Sequence, residues 1–307
     1  MISKRILMLI LISALMTILS CKEKPVSNGP VYSSEKASIN DKSYRFAVHP
    51  LINPASLFQK YQPLIDYLNK KIPDCKFTLE ASRDYPDYER KIKEAKLDFL
   101  LPNPWQTLKA MKVGYNVIAM SGDASDFKGL FIVRNDSKII NPKDLKGKVV
   151  SYPAPTALAA CIMPQYFLHS HGIDVNHDIV NRYVGSQESS IMNAYLGQAA
   201  VGVTWPPPWR IFQKEHPKEA GELKVLWETS PLISNSVMAR TDIPVDIQQK
   251  VSKALFELND SPEGLSILST IETSRFTKSD NRSYDVVQKY IDQFEKDVRK
   301  VETDNAK

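Results

Sequence analysis

Glycine and cysteine are scarce in this sequence, and their scarcity excludes several classes of protein. The 307 residues include 11 glycines, about half of the usual share of ~7%. No two of them form a G-x-G arrangement, and the G-x-x-x-x-G-K-S/T loop does not occur. The usual loops for dinucleotides and nucleoside triphosphates are therefore absent. Three cysteines are too few for a disulfide scaffold.

A strong excess of charge of either sign is also missing. Lys and Arg number 40 against 35 Asp and Glu, a net charge of +5, and the basic residues are scattered. We therefore expect no nucleic-acid partner. The apolar share of 43% is typical of a globular protein. The chain is longer than a single hydrophobic core usually holds, so two lobes are predicted.

The first twenty residues have the pattern of an export signal. Two basic residues precede an uncharged run from Ile6 to Ser20, which is too short to cross a ~30 Å hydrocarbon core comfortably. The run ends in Leu-Ser-Cys21, which resembles the bacterial lipobox, where the chain is cut before the cysteine and its thiol is acylated. We expect a signal peptide at 1–20 and a polar, lipidated tether at 21–43. An uncleaved signal anchor and a cleavable signal without lipid are the alternatives.

Strand and helix patterns alternate along the rest of the chain. Residues 44–48 alternate like a strand, and 56–71 carry apolar residues at helical spacing. Further strands are predicted at 76–80, 97–101, 117–120, 129–134, 149–151, 182–184, 199–204, 223–227 and 235–239. Further helices are predicted at 87–95, 105–113, 157–169, 189–196, 246–259 and 284–298. Repeated β-α-β units indicate an α/β fold of mainly parallel sheets flanked by helices.

Several short motifs follow one another in an order that resembles a known family. They are Asp84-Tyr85, Lys96-Leu97-Asp98, Val133 to Ser137, Asp144-Leu145-Lys146-Gly147-Lys148, Pro164, Gly172-Ile173-Asp174 and Gly185-Ser186. Their order and spacing resemble the phosphonate/phosphite/phosphate-type substrate-binding proteins of ABC transporters, over roughly residues 44–298. The resemblance implies a two-lobed type II periplasmic-binding-protein fold with crossovers near 129–134 and 233–240. Lobe 1 is expected at 44–132 and 236–300, and lobe 2 at 133–235.

The resemblance also implies a function and partners. We expect an extracytoplasmic, membrane-anchored lipoprotein, in the periplasm or at the cell surface, that captures a small solute by lobe closure. The solute would be phosphonate-, phosphite- or phosphate-like, or another small anion or zwitterion. The expected partners are this ligand, an ABC permease and the membrane, with the protein a monomer without cofactor or metal. A binding protein coupled to a membrane receptor such as a sensor kinase, and an enzyme or adhesin on this scaffold, are the alternatives.

Candidate ligand residues lie where predicted strands end. In open α/β sheets, ligands bind beyond the carboxyl ends of the strands. The candidates are His49, Tyr85, Asn103, Trp105, Thr156, Ala157, Ser186, Gln187, Thr204 and Trp205. Two of these positions depart from the family's aminophosphonate binders. The turn that carries hydroxyls there has Ala157, Leu158 and Ala159 here, and Thr204-Trp205 stands where those binders place an acidic residue. We therefore do not expect 2-aminoethylphosphonate as the ligand.

Other interpretations of these residues remain open at this point. Trp205 and Trp209 could simply pack a proline-rich loop. A zinc site at His169, His171 and His177 is an alternative, although a spacing of two does not place side chains on one helical face. No G-x-S-x-G or H-E-x-x-H motif occurs, so we expect no enzyme. Cys75 and Cys161 lie in apolar contexts and are predicted to be buried, unpaired thiols.

Overall fold

The computed structural model describes residues 42–301. The predicted signal peptide and the lipidation site Cys21 lie outside the described residues. Lys42 and Ser43, expected to end the tether, already belong to the first strand. Among residues 42–301, no helix is both long and apolar enough to span a bilayer.

The described chain alternates strands and helices, as the sequence predicts. The strands are β1 Lys42–Val48, β2 Cys75–Glu80, β3 Phe99–Leu101, β4 Tyr115–Ser121, β5 Leu130–Arg134, β6 Val149–Tyr152, β7 Val180–Tyr183, β8 Val201–Thr204, β9 Leu223–Glu228, β10 Ser236–Arg240 and β11 Phe276–Thr277. The α-helices are α1 Pro54–Lys71, α2 Tyr85–Lys93, α3 Pro104–Lys112, α4 Met163–Ser170, α5 Gln187–Tyr195, α6 Pro206–Glu215, α7 Pro217–Gly221, α8 Val245–Phe256, α9 Pro262–Thr270 and α10 Asp285–Asp297. A π-helix, Leu158–Ile162, leads directly into α4.

Two sheets divide the strands between them. The first has the order β11-β4-β10-β3-β1-β2, and the second has the order β7-β6-β8-β5-β9. In the first sheet Phe46 of β1 lies opposite Leu79 on one side and Phe99 on the other. Each sheet forms the centre of one lobe, so the expected two-lobed α/β architecture is confirmed.

One strand in each sheet enters from the other lobe and runs against its neighbours. β10 is antiparallel to β3 and β4, and β5 is antiparallel to β8 and β9. The pairs within β-α-β units are parallel, because each crossover helix returns the chain to the same edge. The short β11 also pairs antiparallel to β4. β5 lies wholly in the second sheet, so the predicted lobe division at 132/133 falls inside this strand.

The helices that face the cleft begin where strands of the sheets end. The side chains of Asn53, Asp84, Asn103 and Ser186 each accept a hydrogen bond from a backbone N–H of the following helix. These caps give hydrogen-bond acceptors to first-turn backbone N–H groups that have none within the helix. At Asn103 the cap is reciprocal, because the side chain of Gln106 accepts from the Asn103 N–H. Proline follows the cap residue directly at two of these starts, where its missing N–H removes no helical bond.

The first sheet buries a different apolar cluster on each face. One face packs α1, α8 and α9 through residues such as Leu64, Val251 and Ile267. The other packs α2, α3 and α10 through Tyr88, Leu108 and Phe294, and its cluster continues into the second lobe. Cys75 and Cys161 are buried and unpaired, as predicted.

The C-terminal helix α10 contacts both lobes. It packs against α3 of the first lobe. Tyr290 of α10 meets the ring of Tyr166 in α4 edge-on, with the ring centroids 5.4 Å apart. Beyond the helix, Arg299 donates to the Gln165 side chain at 2.8 Å and to the Pro155 carbonyl at 3.0 Å. The end of the described chain thus joins the two lobes.

Candidate functional site

A cavity between the lobes collects many of the predicted ligand residues. The space among its lining residues, counted with the adjoining solvent, is about 200 Å³. Its lining residues are His49, Tyr85, Asn103, Phe127, Ala157, Leu158, Ala159, Ala160, Gln187, Trp205 and Asn235. They come from strand ends, helix starts and both crossover segments, so the cavity suits a small solute held by both lobes.

His49 follows β1 and is buried at the cavity wall. Its Nδ1 lies 3.0 Å from the carbonyl oxygen of Leu101 in β3. Because a carbonyl can only accept, Nδ1 must carry the proton. Burial lowers the pKa of His49 to about 4, although the bond to Leu101 opposes this. The imidazole is therefore neutral at pH 7, with its lone pair on Nε2.

A chain of hydrogen bonds connects Tyr85 to the second lobe. The Nε2 of Gln187 donates to the Tyr85 hydroxyl oxygen at 3.2 Å, and the Thr204 hydroxyl donates to Gln187 Oε1 at 2.9 Å. The Tyr85 oxygen thus serves as an acceptor, which leaves its own proton for donation to a ligand. Burial also raises the pKa of Tyr85 above its ordinary value, so the hydroxyl stays protonated.

The start of the π-helix supplies backbone donors to the cavity. The first hydrogen bond of this helix runs from the Ile162 N–H to the Ala157 carbonyl at 3.1 Å. The N–H groups of Leu158, Ala159 and Ala160 precede that bond and have no acceptor within the helix. All three residues line the cavity. Such a cluster of free N–H groups at the positive end of a helix favours a bound anion.

Aromatic rings close another side of the cavity. Trp205 is buried, with its ring centroid 5.5 Å from that of Phe127 and 6.5 Å from that of His49. Trp209 lies elsewhere, stacked on Phe212 at 5.8 Å in a separate apolar cluster. The two tryptophans therefore differ: Trp205 walls the cavity, whereas Trp209 packs the second lobe.

Other predicted residues lie beside the cavity but are engaged with protein partners. Asn103 lines the cavity and donates from Nδ2 to the Thr156 carbonyl at 3.3 Å across the cleft. The Thr156 hydroxyl donates to Glu89 at 2.6 Å. Ser186 caps α5, and Thr204 is buried against Gln187. Trp105 is buried in an apolar cluster beneath the ammonium of Lys109 and does not line the cavity, because its side chain enters the core of the first lobe.

Phe127 and Asn235 line the cavity but were not predicted from the sequence. They lie in the two segments that join the sheets, just before β5 and β10, where no motif identifies them. The only signal is position, since crossover segments border the cleft in a two-lobed fold. Asn235 is buried and its Oδ1 has no hydrogen-bond partner, which distinguishes it from most buried polar groups.

Among the described residues, none that lines the cavity is Lys, Arg, Asp or Glu. An aminophosphonate's ammonium would therefore find no carboxylate there, in line with the departure seen in the sequence. Within the described range 42–301, no group of three or more His, Cys, Asp or Glu side chains could hold a metal ion. His177 instead lies 2.7 Å from Asp174 at the surface, so the zinc alternative has no support.

Comparison with known proteins gives the family of this chain. The sequence model for the periplasmic substrate-binding protein of phosphonate ABC transporters matches residues 46–284. A curated relative, the probable ABC transporter phosphite binding protein PhnD1 of Prochlorococcus marinus (strain MIT 9301), is 24% identical over 181 residues. That match covers 55% of this chain and 61% of the relative, so the chain matches about three fifths of the relative's length. Neither description is that of an enzyme, which agrees with the expectation from the sequence.

Solved structures share the fold. The binding protein component of an ABC phosphonate transporter from Pseudomonas aeruginosa has a TM-score of 0.75 at 16% identity, covering 81% of this chain and 85% of that one. PhnD1 from Prochlorococcus marinus, in complex with methylphosphonate, has a TM-score of 0.75 at 19% identity, covering 83% and 99%. The two-lobed periplasmic-binding-protein fold predicted from the sequence is thus confirmed. With more than half of its length matched by the family model, the chain belongs to the periplasmic substrate-binding proteins of phosphonate ABC transporters.

Proposed function

We propose that this protein captures a small phosphorus oxyanion outside the cytoplasm and delivers it to an ABC permease. Phosphonate, phosphite and phosphate form the leading ligand class, and other small anions or zwitterions form the wider one. The single observation that carries this proposal is the start of the π-helix, whose residues Leu158, Ala159 and Ala160 line a small cavity between the lobes. The family and the methylphosphonate named with PhnD1 point to the same class.

The donors of the cavity suit an anion without a full positive charge nearby. The N–H groups of Leu158, Ala159 and Ala160 would hold oxygens of the ligand, and the Tyr85 hydroxyl would donate from the opposite lobe. Hydrogen bonds to an ionised group contribute about 1.5–3 kcal/mol each when water is excluded. The pairing of donors from both lobes supports capture by lobe closure.

The aromatic wall favours a short apolar substituent on the ligand. The rings of Trp205 and Phe127 offer flat apolar surface on one side of the cavity. A methyl or hydrogen substituent on phosphorus would contact them without needing a polar partner. The small volume excludes long substituents, so methylphosphonate and phosphite are the preferred candidates within the class.

The remaining part of the proposal concerns export of the protein and its attachment to the membrane. We infer that the chain is exported, cut before Cys21 and acylated there, with the polar segment after it as a tether. The lobes at 44–132 with 236–300 and at 133–235, adjusted so that β5 belongs to the second, would form a monomeric body held near the permease. The sequence pattern Leu-Ser-Cys21 after an apolar run supports this anchoring.

A thermal-shift screen of the purified body, residues 22–307, tests the ligand class. A true ligand at a hundredfold excess over its dissociation constant stabilises the folded state by about 2.7 kcal/mol, a clear rise in melting temperature. Methylphosphonate and phosphite are expected to stabilise the protein, and 2-aminoethylphosphonate is not. A screen in which every phosphorus oxyanion fails while a betaine or aromatic solute succeeds would contradict the proposed ligand class.

Uptake measurements test the transport role. Cells lacking the chain are expected to lose high-affinity uptake of the ligand found in the screen, and the restored gene should return it. Uptake that is unchanged while ligand-dependent gene expression is lost would instead support the sensing alternative.

A further inference from the structure

The cavity presents hydrogen-bond acceptors as well as donors. The Nδ1 of His49 is committed to the Leu101 carbonyl at 3.0 Å, so the free nitrogen of the neutral ring, Nε2, can only accept. Asn235 also lines the cavity, and its buried Oδ1 has no hydrogen-bond partner. A fully deprotonated oxyanion has no hydrogen to give to Nε2. An unpaired buried acceptor opposes binding by the full loss of its hydration.

The neighbours of His49 do not favour a charged imidazole. The rings of Tyr85 in α2 and Trp205 before α6 lie 6.4 Å and 6.5 Å away between centroids, and β3 contributes only the Leu101 carbonyl. Tyr85 is the titratable group that faces His49, and it is protonated at neutral pH. Glu89 lies one turn after Tyr85 in α2. Its carboxylate accepts hydrogen bonds from Thr156 and Gln106 rather than from His49.

We propose that the bound complex holds one proton between His49 Nε2 and an oxygen of the ligand, so that the cavity selects phosphorus oxyanions in their singly protonated state. This inference rests on the proposed function and specifies the ligand form that it requires. The ligand's P–OH would donate to Nε2 of His49. A ligand that is singly protonated in solution brings this proton itself. A doubly ionised ligand takes one proton from the solvent as it binds, and no covalent bond changes.

A sulfonate should then be rejected despite its similar shape. Methanesulfonate has the tetrahedral form and single charge of hydrogen methylphosphonate, but it carries no proton at neutral pH. It would leave Nε2 of His49 unpaired inside the closed cavity. Sites built to bond a hydroxyl discriminate strongly against analogues that lack it, by several orders of magnitude in favourable cases.

Calorimetric titration of the wild-type body tests the inference. Methanesulfonate is expected to bind at least roughly a hundredfold more weakly than methylphosphonate at neutral pH. Above the second pKa of methylphosphonate, titrations in buffers of different ionisation enthalpy should show uptake of close to one proton. The affinity should fall about tenfold for each further pH unit. Comparable binding of methanesulfonate, or no proton uptake, would overturn the inference while leaving the proposed function intact.

A pair of histidine variants locates the proton. His49→Gln is expected to lose the proton uptake, because the glutamine amide can donate an N–H to a deprotonated oxygen and no longer requires a proton on the ligand. His177→Gln removes an exposed histidine beside Asp174 and should keep it. Uptake that persists in a folded His49→Gln protein would contradict the assignment to His49. If that variant does not fold, the comparison of methylphosphonate with methanesulfonate on the wild-type protein still tests whether the cavity requires a protonated ligand. Failure of every phosphorus oxyanion to bind at any pH would instead refute the proposed function.

Discussion

Tyr85 and Tyr88 are three residues apart and both buried, yet their hydroxyls have different partners. Tyr85 accepts from Gln187 across the cleft, whereas Tyr88 donates to the Ala47 carbonyl at 3.3 Å within the first lobe. Tyr85→Phe should weaken methylphosphonate binding roughly tenfold or more, because a donor to the anion is lost. Titration calorimetry measures the affinity, and thermal unfolding measures whether the variant remains stably folded.

Tyr88→Phe is the matched control for this change. It removes one hydroxyl from the same helix and leaves the Ala47 carbonyl without that donor. The free energy of unfolding should therefore fall, while the affinity for methylphosphonate should not change. Equal losses of affinity in the two variants would show that Tyr85 acts only through the packing of α2.

Trp205 and Trp209 form a second matched pair, since both are almost equally buried. Trp205→Ala should weaken ligand binding by at least about tenfold, because it removes a wall of the cavity. Trp209→Ala should lower the free energy of unfolding by about 3–5 kcal/mol and leave the affinity of the folded protein unchanged. Urea unfolding and calorimetry separate the two effects. A Trp205→Ala protein that unfolds but binds normally when folded would favour the packing interpretation.

Individual site residues could be predicted only where a strand end identified them. His49, Tyr85, Gln187 and Trp205 follow strands directly or begin the next helix, so the rule for open sheets predicted their position. Their hydrogen bonds could not be predicted, because these depend on contacts across the cleft. The tautomer of His49, for example, depends on Leu101, 52 residues away in sequence.

At the scale of elements, β8 and α5 lie so close together that no side chain fits between them. A Cβ at Gly202 of β8 would lie 2.2 Å from the Ser190 carbonyl oxygen in α5. Gly202→Ala should therefore reduce the free energy of unfolding by about 1–3 kcal/mol or more, as measured in urea. Gly221→Ala is the control, because a Cβ there meets nothing within 4 Å. A Gly202→Ala protein as stable as this control would contradict the close approach.

Helix α6 shows why some elements were missed from the sequence. Pro206, Pro207 and Pro208 suggested a loop, yet they form the first turn of a helix. A proline there removes no helical hydrogen bond, since first-turn N–H groups have no acceptor in the helix. Helix α9 was also missed, although Ser261 caps it and Pro262 begins it. Both helices start with residues that usually indicate turns, so local patterns alone favoured the wrong interpretation.

At the scale of the molecule, the order of β-α-β units was enough to predict two lobes. The strand that runs against its neighbours in each sheet was not predicted, because pairing direction depends on how the chain crosses between lobes. The crossover was predicted near 129–134, whereas β5 belongs wholly to the second sheet. A pattern within one segment cannot specify which of two sheets the segment joins.

Attachment to the membrane concerns the whole protein, and a substitution of Cys21 tests it. Cys21→Ser should abolish acylation, so the chain is expected to remain uncleaved or to be released in soluble form. Fractionation of membranes with and without detergent, followed by mass spectrometry of the N-terminus, gives the outcome. Cys161→Ser is the matched control, since that thiol is buried in the body. Normal membrane extraction and processing of the Cys21→Ser protein would exclude the lipobox interpretation.

The contacts that bridge the cleft differ between the two faces of the first sheet. On the α10 face, apolar packing and the Tyr166–Tyr290 pair join the lobes. On the α1 face, Ile211 of α6 packs into the first-lobe cluster, and partly exposed ion pairs also join the lobes, with Lys60 2.8 Å from Glu215 and Arg210 2.8 Å from Glu272.

Dissolved salt screens exposed charges but leaves apolar packing almost unaffected. Higher ionic strength should therefore loosen the lobes on the α1 face alone. Since none of the described residues that line the cavity is charged, salt dependence of ligand release would report this loosening together with screening at the helix end that holds the anion. The protein would thus hold its solute more briefly in saline surroundings than in dilute ones.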